Sequence, residues 1–244
     1  MILAIAMREV RGIYVSLVGW AALAVAQLLL AWLLFSQLEV YQKILPGLVK
    51  TGSPLGLGDL VISPTLSSTA LLLIILIPLL GMGSLGDEKR SGRIHLLLSS
   101  PVPPLQLVLG KWLGLLLAAL PLLLLAIAMA ITLGLGSSLD MGRLAASFLG
   151  LLLLSAMAAA ITLWLSSLNE QPLSTAALAW GIMFLLWLLD ASPASSLSVA
   201  SLNGHLSPFF QGLVRSSDLI YFTAISLAAL GLCTHRLWRM GGGR

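Results

Sequence analysis

Few residues in this sequence could carry out chemistry, and their spacings fit no common catalytic site. Residues 56–59 read Gly-Leu-Gly-Asp, which matches the short Gly-x-Gly-Asp pattern of intramembrane aspartyl proteases. That chemistry needs a second aspartate on a neighbouring span, and no earlier apolar stretch contains one. His95, His205 and His235 lie in different segments, without the i, i+4 spacing that would favour a metal site. We therefore expect neither a catalytic dyad nor a bound metal ion.

The sequence also lacks a recognisable nucleotide-binding loop. Gly110-Lys111 matches only the end of the phosphate-binding pattern G-x-x-x-x-G-K-[ST]. Leu105 replaces the upstream glycine, and Trp112 replaces the Ser or Thr that would bind Mg²⁺. We expect no cofactor on this chain.

The densest group of charges lies between Asp87 and Arg93, which we call the charged island. It reads Asp-Glu-Lys-Arg-Ser-Gly-Arg, so five of its residues are charged, although only 9% of the 244 residues are. Apolar stretches long enough to cross a membrane lie on both sides, so the island must lie in water. We expect a soluble partner to dock there, with Gly92 allowing the backbone to turn. A simple solvated turn is the alternative.

The elements that position the island are long apolar helices. The sequence is 59% apolar, with a mean hydropathy of +1.04, which is more than a soluble domain of this size could bury. The apolar runs are continuous and rich in Leu and Ala, and they do not alternate as the strands of a membrane barrel would. The sequence predicts an all-α polytopic membrane protein that forms a single domain over residues 1–244.

Six spans are predicted, at residues 14–36, 65–85, 106–133, 144–167, 173–189 and 218–238. Residues 2–12 mix apolar and charged side chains at helical spacing, which is typical of an interfacial helix, although a frayed tail is the alternative. Residues 37–64 read as a connection. Residues 190–217 are rich in Ser but half apolar, so they form either short helices that dip into the membrane or an ordinary surface loop.

The distribution of Lys and Arg predicts the orientation of these spans. With the N-terminus inside, the inner side holds Arg8, Arg11, Lys89, Arg90, Arg93, Lys111, Arg236, Arg239 and Arg244. The outer side holds only Lys43, Lys50, Arg143 and Arg215. Both termini, the charged island and the turn at residues 168–172 are then cytoplasmic. The basic pI of about 9.6 reflects this topology, and we expect no nucleic-acid partner.

Ionisable and small residues inside the spans give two further predictions. Lys111 lies about one turn inside the third span, and we expect it to extend its ammonium group to the inner interface. The spans otherwise contain almost no ionisable residue, which argues against a transporter driven by its own buried carboxylates. Small residues at four-residue spacing predict close helix packing, within the chain or between two chains, at Gly110, Gly114, Ala156 and Ala160.

A longer pattern surrounds the charged island, from Ile77 to Gly114. It resembles the signature of ABC-2 type permeases, with matches at Glu88, Arg90, Gly92, Leu97, Leu98, Pro101, Val102, Gly110 and Lys111. Arg93 replaces the usual small threonine, and His95 takes a position often held by glutamate. Arg8-Glu9 resembles part of the family's N-terminal helix. Among subgroups, the chain is most similar to the short six-span permeases of gliding-motility and nitrous-oxide-reductase maturation transporters.

The resemblance implies a type V exporter-like permease with an N-terminal interfacial helix and a cytoplasmic coupling helix. ATP and Mg²⁺ would bind to a separate cytoplasmic ABC ATPase, present in two copies. A second permease subunit, identical or different, would complete the complex in the lipid bilayer of a bacterial inner membrane. The alternative is a membrane scaffold or mechanotransmission subunit that recruits the ATPase and transports nothing itself.

The resemblance also assigns the residues of the coupling loop at 86–105. The expected contacts with the ATPase are Asp87, Glu88, Lys89, Arg90, Gly92, Arg93, Leu97 and Pro101. The charged side chains would face the partner, while Leu96, Leu97 and Leu98 pack towards the membrane. Glu170 is a candidate second contact, and capping of the fifth span is its alternative role.

Overall fold

Long helices form almost the whole of the described chain. The computed structural model describes residues 1–51, 56–92, 103–134, 140–191 and 200–241, and these contain no β-strand. The helices are α1 (Ile2–Val15), α2 (Leu17–Thr51), α3 (Ser63–Gly81), α4 (Gly86–Arg90), α5 (Pro104–Gly134), α6 (Met141–Leu168), α7 (Pro172–Leu188), α8 (Leu202–Phe210) and α9 (Ser216–Gly241). A π-helical turn, Gly58–Ile62, leads into α3.

The predicted fold class is confirmed. Five stretches are long and apolar enough to cross a membrane, namely Leu17–Gly47, Gly58–Arg90, Pro104–Gly134, Met141–Leu168 and Ser216–Met240. The shorter apolar helix Pro172–Leu188 coincides with the predicted fifth span. Helices α3 and α5 continue through Pro78 and Pro121, which spans tolerate because neighbouring groups can satisfy the carbonyl that loses its partner.

The predicted connection at residues 37–64 is wrong over much of its length. Helix α2 continues to Thr51, well beyond the expected end at residue 36, and the π-helical turn occupies Gly58–Ile62. The extension carries the pair Glu39 and Lys43, whose Oε1 and Nζ atoms lie 2.6 Å apart at i, i+4. The charged segment that we interpreted as a connection is therefore an exposed part of a helix, and its charges stabilise that helix.

Helix α6 lies at the centre of the bundle. Two thirds (67%) of its most apolar window is buried inside the protein, compared with 28% for α2 at the periphery. It packs against α3, α5, α7, α8 and α9. Small side chains at Ala158, Ala159 and Ala160 are fully buried and let these neighbours approach closely. Helix α6 therefore contacts most of the other helices of the bundle.

One end of the bundle, which we call the far end, is closed by α8. Ser201 caps this helix by accepting a hydrogen bond from the Gly204 amide at 3.1 Å. Phe209 is buried against α6, where a Cβ at Gly150 would lie 2.8 Å from it. The ordinary-loop interpretation of residues 190–217 is therefore wrong for Leu202–Phe210, although its insertion into the membrane stays a prediction. Residues 192–199 lie outside the described residues.

Arg143 holds the far end together. Its Nη1 lies 2.6 Å from Oδ1 of Asp59, and its Nε donates to the Phe210 carbonyl at 2.7 Å. The aspartate of the Gly-x-Gly-Asp pattern is thus paired with a cation on α6, as a structural ion pair. The opposite end carries α4 and the charged island, and we call it the island end.

Candidate functional site

The charged island begins with a short helix, α4, whose charged residues are arranged favourably for its dipole. Asp87 and Glu88 lie in its first turn, and Lys89 and Arg90 in its last, so both pairs complement the helix dipole. The helix stops because Gly92 adopts a φ of +72°, a left-handed conformation that favours glycine. This conformation fits the expected turn. The predicted contacts Arg93, Leu97 and Pro101 lie outside the described residues.

Lys111 of α5 connects α4 to α1. Its Nζ lies 2.9 Å from Oε1 of Glu88 and 3.1 Å from Oε2 of Glu9, and its side chain is only 3% exposed. It also donates a hydrogen bond to the Ser84 carbonyl at 2.7 Å, and the Ser84 hydroxyl donates to the Glu9 carboxylate. We call these four residues, Glu9, Ser84, Glu88 and Lys111, the lysine node.

Lys111 points towards the charged residues of the island end, but its ammonium group meets protein atoms there instead of bulk water. Two carboxylates and a carbonyl meet its ammonium group inside the protein, so it has no need to extend towards water. The node joins residues that are 102 and 75 positions apart in the sequence, which fixes three separate segments at one point. A small set of charges therefore couples α1, the α3–α4 turn and α5.

Helix α4 is also anchored to the end of α6. The Ser166 hydroxyl accepts hydrogen bonds from the Leu85 and Gly86 amides, both at 3.1 Å, and donates to the Met82 carbonyl at 3.2 Å. The ammonium group of Lys89 donates to the Ser167 carbonyl. The first residues of the island thus lie on the C-terminal end of the central helix.

Only part of the island faces outward. Asp87 and Arg90 are exposed, whereas Glu88 and Lys89 are partly buried and turn towards Lys111 and Ser167. This differs from the expectation that all of these charges face a partner. Glu88 and Lys89 instead pair with these two residues. Because it is costly to bury a charge without its partner, these pairs hold α4 in place.

Glu170 adds a third exposed charge beside α4. A Cβ at Gly86 would lie 3.2 Å from the Asn169 carbonyl oxygen and 3.5 Å from that of Glu170, so α4 touches the turn at residues 168–172. Glu170 itself is exposed, and Gln171 is the N-cap residue of α7. We call the exposed residues Asp87 and Arg90 of α4, together with Glu170 of the turn that α4 touches, the island surface. Capping of α7 by Glu170 receives no support.

The small residues of α5 form the surface against which α1 packs. A Cβ at Gly110 would lie 2.7 Å from the Ile5 side chain, and one at Gly114 would lie 2.7 Å from Cβ of Glu9. The Tyr14 hydroxyl donates to the Ala118 carbonyl at 3.4 Å. These contacts support packing within the chain at Gly110 and Gly114, and they show that α1 is an ordered helix, not a frayed tail.

The small residues of α6 lie in a different part of the helix packing. Trp112 donates its indole N–H to the Ala156 carbonyl at 2.9 Å, and Ala160 is fully buried. Packing within the chain therefore accounts for Ala156 and Ala160 as well.

A polar cavity of about 450 Å³ adjoins the lysine node. Arg8 and Glu9 from α1, Asp87 and Glu88 from α4, and Lys111 from α5 contribute its polar lining. No group of three or more His, Cys, Asp or Glu residues suited to a metal ion occurs within the described ranges. His205 lies at the far end, with its Nδ1 2.7 Å from Oδ1 of Asp218. The island end therefore combines charges that are fixed by ion pairs with charges that are exposed.

Sequence reasoning missed the anchoring roles of Ser84, Ser166 and Glu9. A signal was nevertheless present, because a lysine inside an apolar span needs a counter-ion, and Glu9 is one of the few carboxylates predicted on the same side. No local signal identifies Ser166, whose partners lie about 80 residues away. Its hydroxyl looks like any other small polar group near a helix end.

The fold and the site together define a multi-pass helical membrane protein with a charged element at one end. A family model described as ABC-2 family transporter protein matches residues 52–232, about three quarters of the chain. The chain belongs to the ABC-2 family of transporter proteins and is a transmembrane permease of an ABC transporter. No curated protein matches the sequence. The narrower resemblance to gliding-motility and nitrous-oxide-reductase maturation permeases stays a prediction.

Proposed function

We propose that this chain is the permease subunit of an ATP-driven exporter, coupled to a separate cytoplasmic ATPase through residues 86–105. Family membership implies an ABC ATPase partner. The observation that carries the proposal is the island surface: Asp87, Arg90 and Glu170 are exposed, while the backbone beneath them is fixed to α5 and α6. Such a surface suits a partner that must both recognise charges and move the helices.

The assembly follows from the family and from the distribution of basic residues. Two permease subunits, identical or different, would associate with two ATPases, and ATP and Mg²⁺ would bind on the ATPases. The excess of Lys and Arg at the island end supports a cytoplasmic location for both termini. A bacterial inner membrane is the expected location.

The coupling mechanism uses the fixed attachment of α4. When ATP binding closes the ATPase dimer, the island surface moves with it. Glu88 passes the displacement to Lys111 on α5 and thereby to Glu9 on α1, while Ser166 and Ser167 pass it to α6. Glu88 and Lys89 thus remain coupling residues, although they act from beneath the contact surface.

The test compares the island surface with a matched pair of charges at the far end. The triple variant Asp87→Ala/Arg90→Ala/Glu170→Ala is co-expressed with the ABC ATPase that co-purifies with the native chain. We expect affinity for the ATPase to fall by about 2 kcal/mol, or roughly thirtyfold in Kd, since exposed charge pairs each contribute about 0.2–1 kcal/mol. The control Glu39→Ala/Lys43→Ala should leave the affinity unchanged.

Transport and association are then measured separately. Equal affinity in the triple variant and the native chain would contradict docking at the island surface. If the native chain stimulates the ATPase but reconstituted vesicles move no cargo, the scaffold or mechanotransmission alternative is favoured. The direct connection from α4 to α1 and α5 through the lysine node is the observation that keeps this alternative open.

A further inference from the structure

A groove runs between α6 and α9 at the island end, apart from the lysine node. Its cavity has a volume of about 390 Å³. The apolar lining consists of Trp164 and Leu168 from α6, with Leu232 and Met240 from α9. Leu168 and Leu232 are 38% and 50% exposed, and both lie on helices that are candidate spans.

The terminal part of the same groove is basic. His235, Arg236 and Arg239 line it, and their spacing of three and four places them on the face of α9 that also carries Leu232 and Met240. Neither guanidinium group forms an ion pair with a carboxylate in the described part of the chain. Lys89 is close enough to Arg236 for the two charges to interact. The groove therefore joins an apolar channel to a cluster of positive charges.

We propose that this groove binds an anionic phospholipid from the leaflet at the island end. The phosphate would lie between Arg236 and Arg239, because guanidinium groups offer paired donors that fit phosphate oxygens. An acyl chain would follow Trp164, Leu168 and Leu232 towards the middle of the bilayer. A soluble anion would leave this apolar half of the groove without a partner, whereas a phospholipid satisfies both halves.

The groove and the island surface share no residue, although Lys89 of α4 lies near Arg236. The groove lies on the faces of α6 and α9, whereas the island surface is formed by Asp87, Arg90 and Glu170. A bound lipid would fill the cleft between the C-terminal ends of these two helices and hold them together. Anionic lipid should therefore stabilise the protein even when no ATPase is present.

The experiment uses the full chain, purified in detergent and reconstituted in nanodiscs of phosphatidylcholine with or without phosphatidylglycerol. Native mass spectrometry measures the phosphatidylglycerol retained, and thermal unfolding measures its stabilising effect. For Arg236→Gln/Arg239→Gln we expect retention to fall about tenfold or more, since each basic residue near anionic lipid contributes about 1 kcal/mol. Arg11→Gln/Arg215→Gln removes the same net charge from exposed sites outside the groove and should retain the lipid.

A second variant tests the apolar half without changing any charge. Leu232→Trp fills the groove and should also lower retention, and it carries the test if the double arginine variant unfolds. Equal loss in Arg236→Gln/Arg239→Gln and Arg11→Gln/Arg215→Gln would reduce the effect to general charge attraction and overturn the proposal. Stabilisation by glycerol phosphate alone, to the same extent as by phosphatidylglycerol, would overturn it in favour of a soluble anion.

Discussion

Lys111 carries a charge into the apolar bundle because two carboxylates meet it there. Its side chain is 3% exposed, and those of Glu9 and Glu88 are each 17% exposed. The node contains two acids and one base, and Oε2 of Glu88 is buried without a hydrogen-bond partner among the described residues. Removing the single cation should therefore cost more than removing either acid.

Lys111→Met tests this balance. It leaves two buried carboxylates without a counter-ion, so we expect the free energy of unfolding to fall by about 3–5 kcal/mol. The control Lys43→Met breaks the exposed pair with Glu39 and should have little effect, because water screens such a pair. Reversible denaturation in detergent micelles measures both, and equal losses would show that the node contributes nothing beyond a surface pair.

Ser166 supports a second prediction at the residue scale. Ser166→Ala removes an acceptor shared by the Leu85 and Gly86 amides, both of which are buried, and should cost about 1–3 kcal/mol. Ser155→Ala is the control, because that buried hydroxyl bonds only to the Leu151 carbonyl of its own helix. Hydrogen exchange should accelerate at residues 85–90 in the first variant alone. Unchanged exchange there would contradict the anchoring of α4 by Ser166.

At the scale of elements, α1 depends on the absence of side chains along α5. Gly110 and Gly114 bring Ile5 and Glu9 so close that an added Cβ would lie 2.7 Å from each side chain. In most helices a glycine lowers stability relative to alanine. Here close contact with α1 outweighs that preference, so the usual sign of a Gly→Ala substitution should reverse.

Gly114→Ala and Gly181→Ala make a matched pair for this prediction. Gly181 lies in α7 with nothing within 4 Å of its Cβ position, so alanine should stabilise the protein by about 0.5–1 kcal/mol. Gly114→Ala should destabilise it by about 1–3 kcal/mol, because Glu9 and the Ala6 carbonyl must shift. Thermal unfolding gives both signs. If Gly114→Ala stabilised the protein, α1 would not pack closely against α5 at this position.

The elements were largely predictable from the sequence, and the exceptions have physical causes. Apolar length predicted the five candidate spans and the shorter apolar helix α7, because a helix must remain apolar over about 20 residues to cross the hydrocarbon. The extension of α2 is not evident from apolar length because polar residues and Pro46-Gly47 interrupt the apolar run beyond Phe35, although the spacing of Glu39 and Lys43 indicates a helix. Helix α8 was left open because nine residues of mixed polarity carry little periodicity.

At the scale of the whole molecule, the orientation in the membrane can be tested with the chain's own cysteine left in place. Cys233 is fully buried, so it should react slowly with a membrane-impermeant maleimide. Arg11→Cys and Lys43→Cys place exposed thiols at the island end and on the α2 extension. In intact cells we expect the reagent to label only Lys43→Cys, with Arg11→Cys labelled after lysis. Labelling of Arg11→Cys in intact cells would reverse the proposed orientation.

The candidate site was predictable in place but not in arrangement. The charged island was evident because charges are rare in this chain, and the resemblance gave it a partner. Which charges face outward could not be foreseen, since Glu88 turns inward only because Lys111, which also pairs with Glu9, meets it there. Long-range pairing of this kind leaves no periodic signal.

The junction between α1 and α2 has a mechanical consequence. A single extended residue, Ser16, with φ −73° and ψ 131°, separates the two helices, and its amide bonds back to the Gly12 and Ile13 carbonyls. One residue spans only about 3.5 Å, so the end of α1 and the start of α2 cannot move far apart. If α1 slides along α5 by more than that, α2 must tilt. A small displacement of the lysine node would then shift α1 along α5 and tilt α2, the first span.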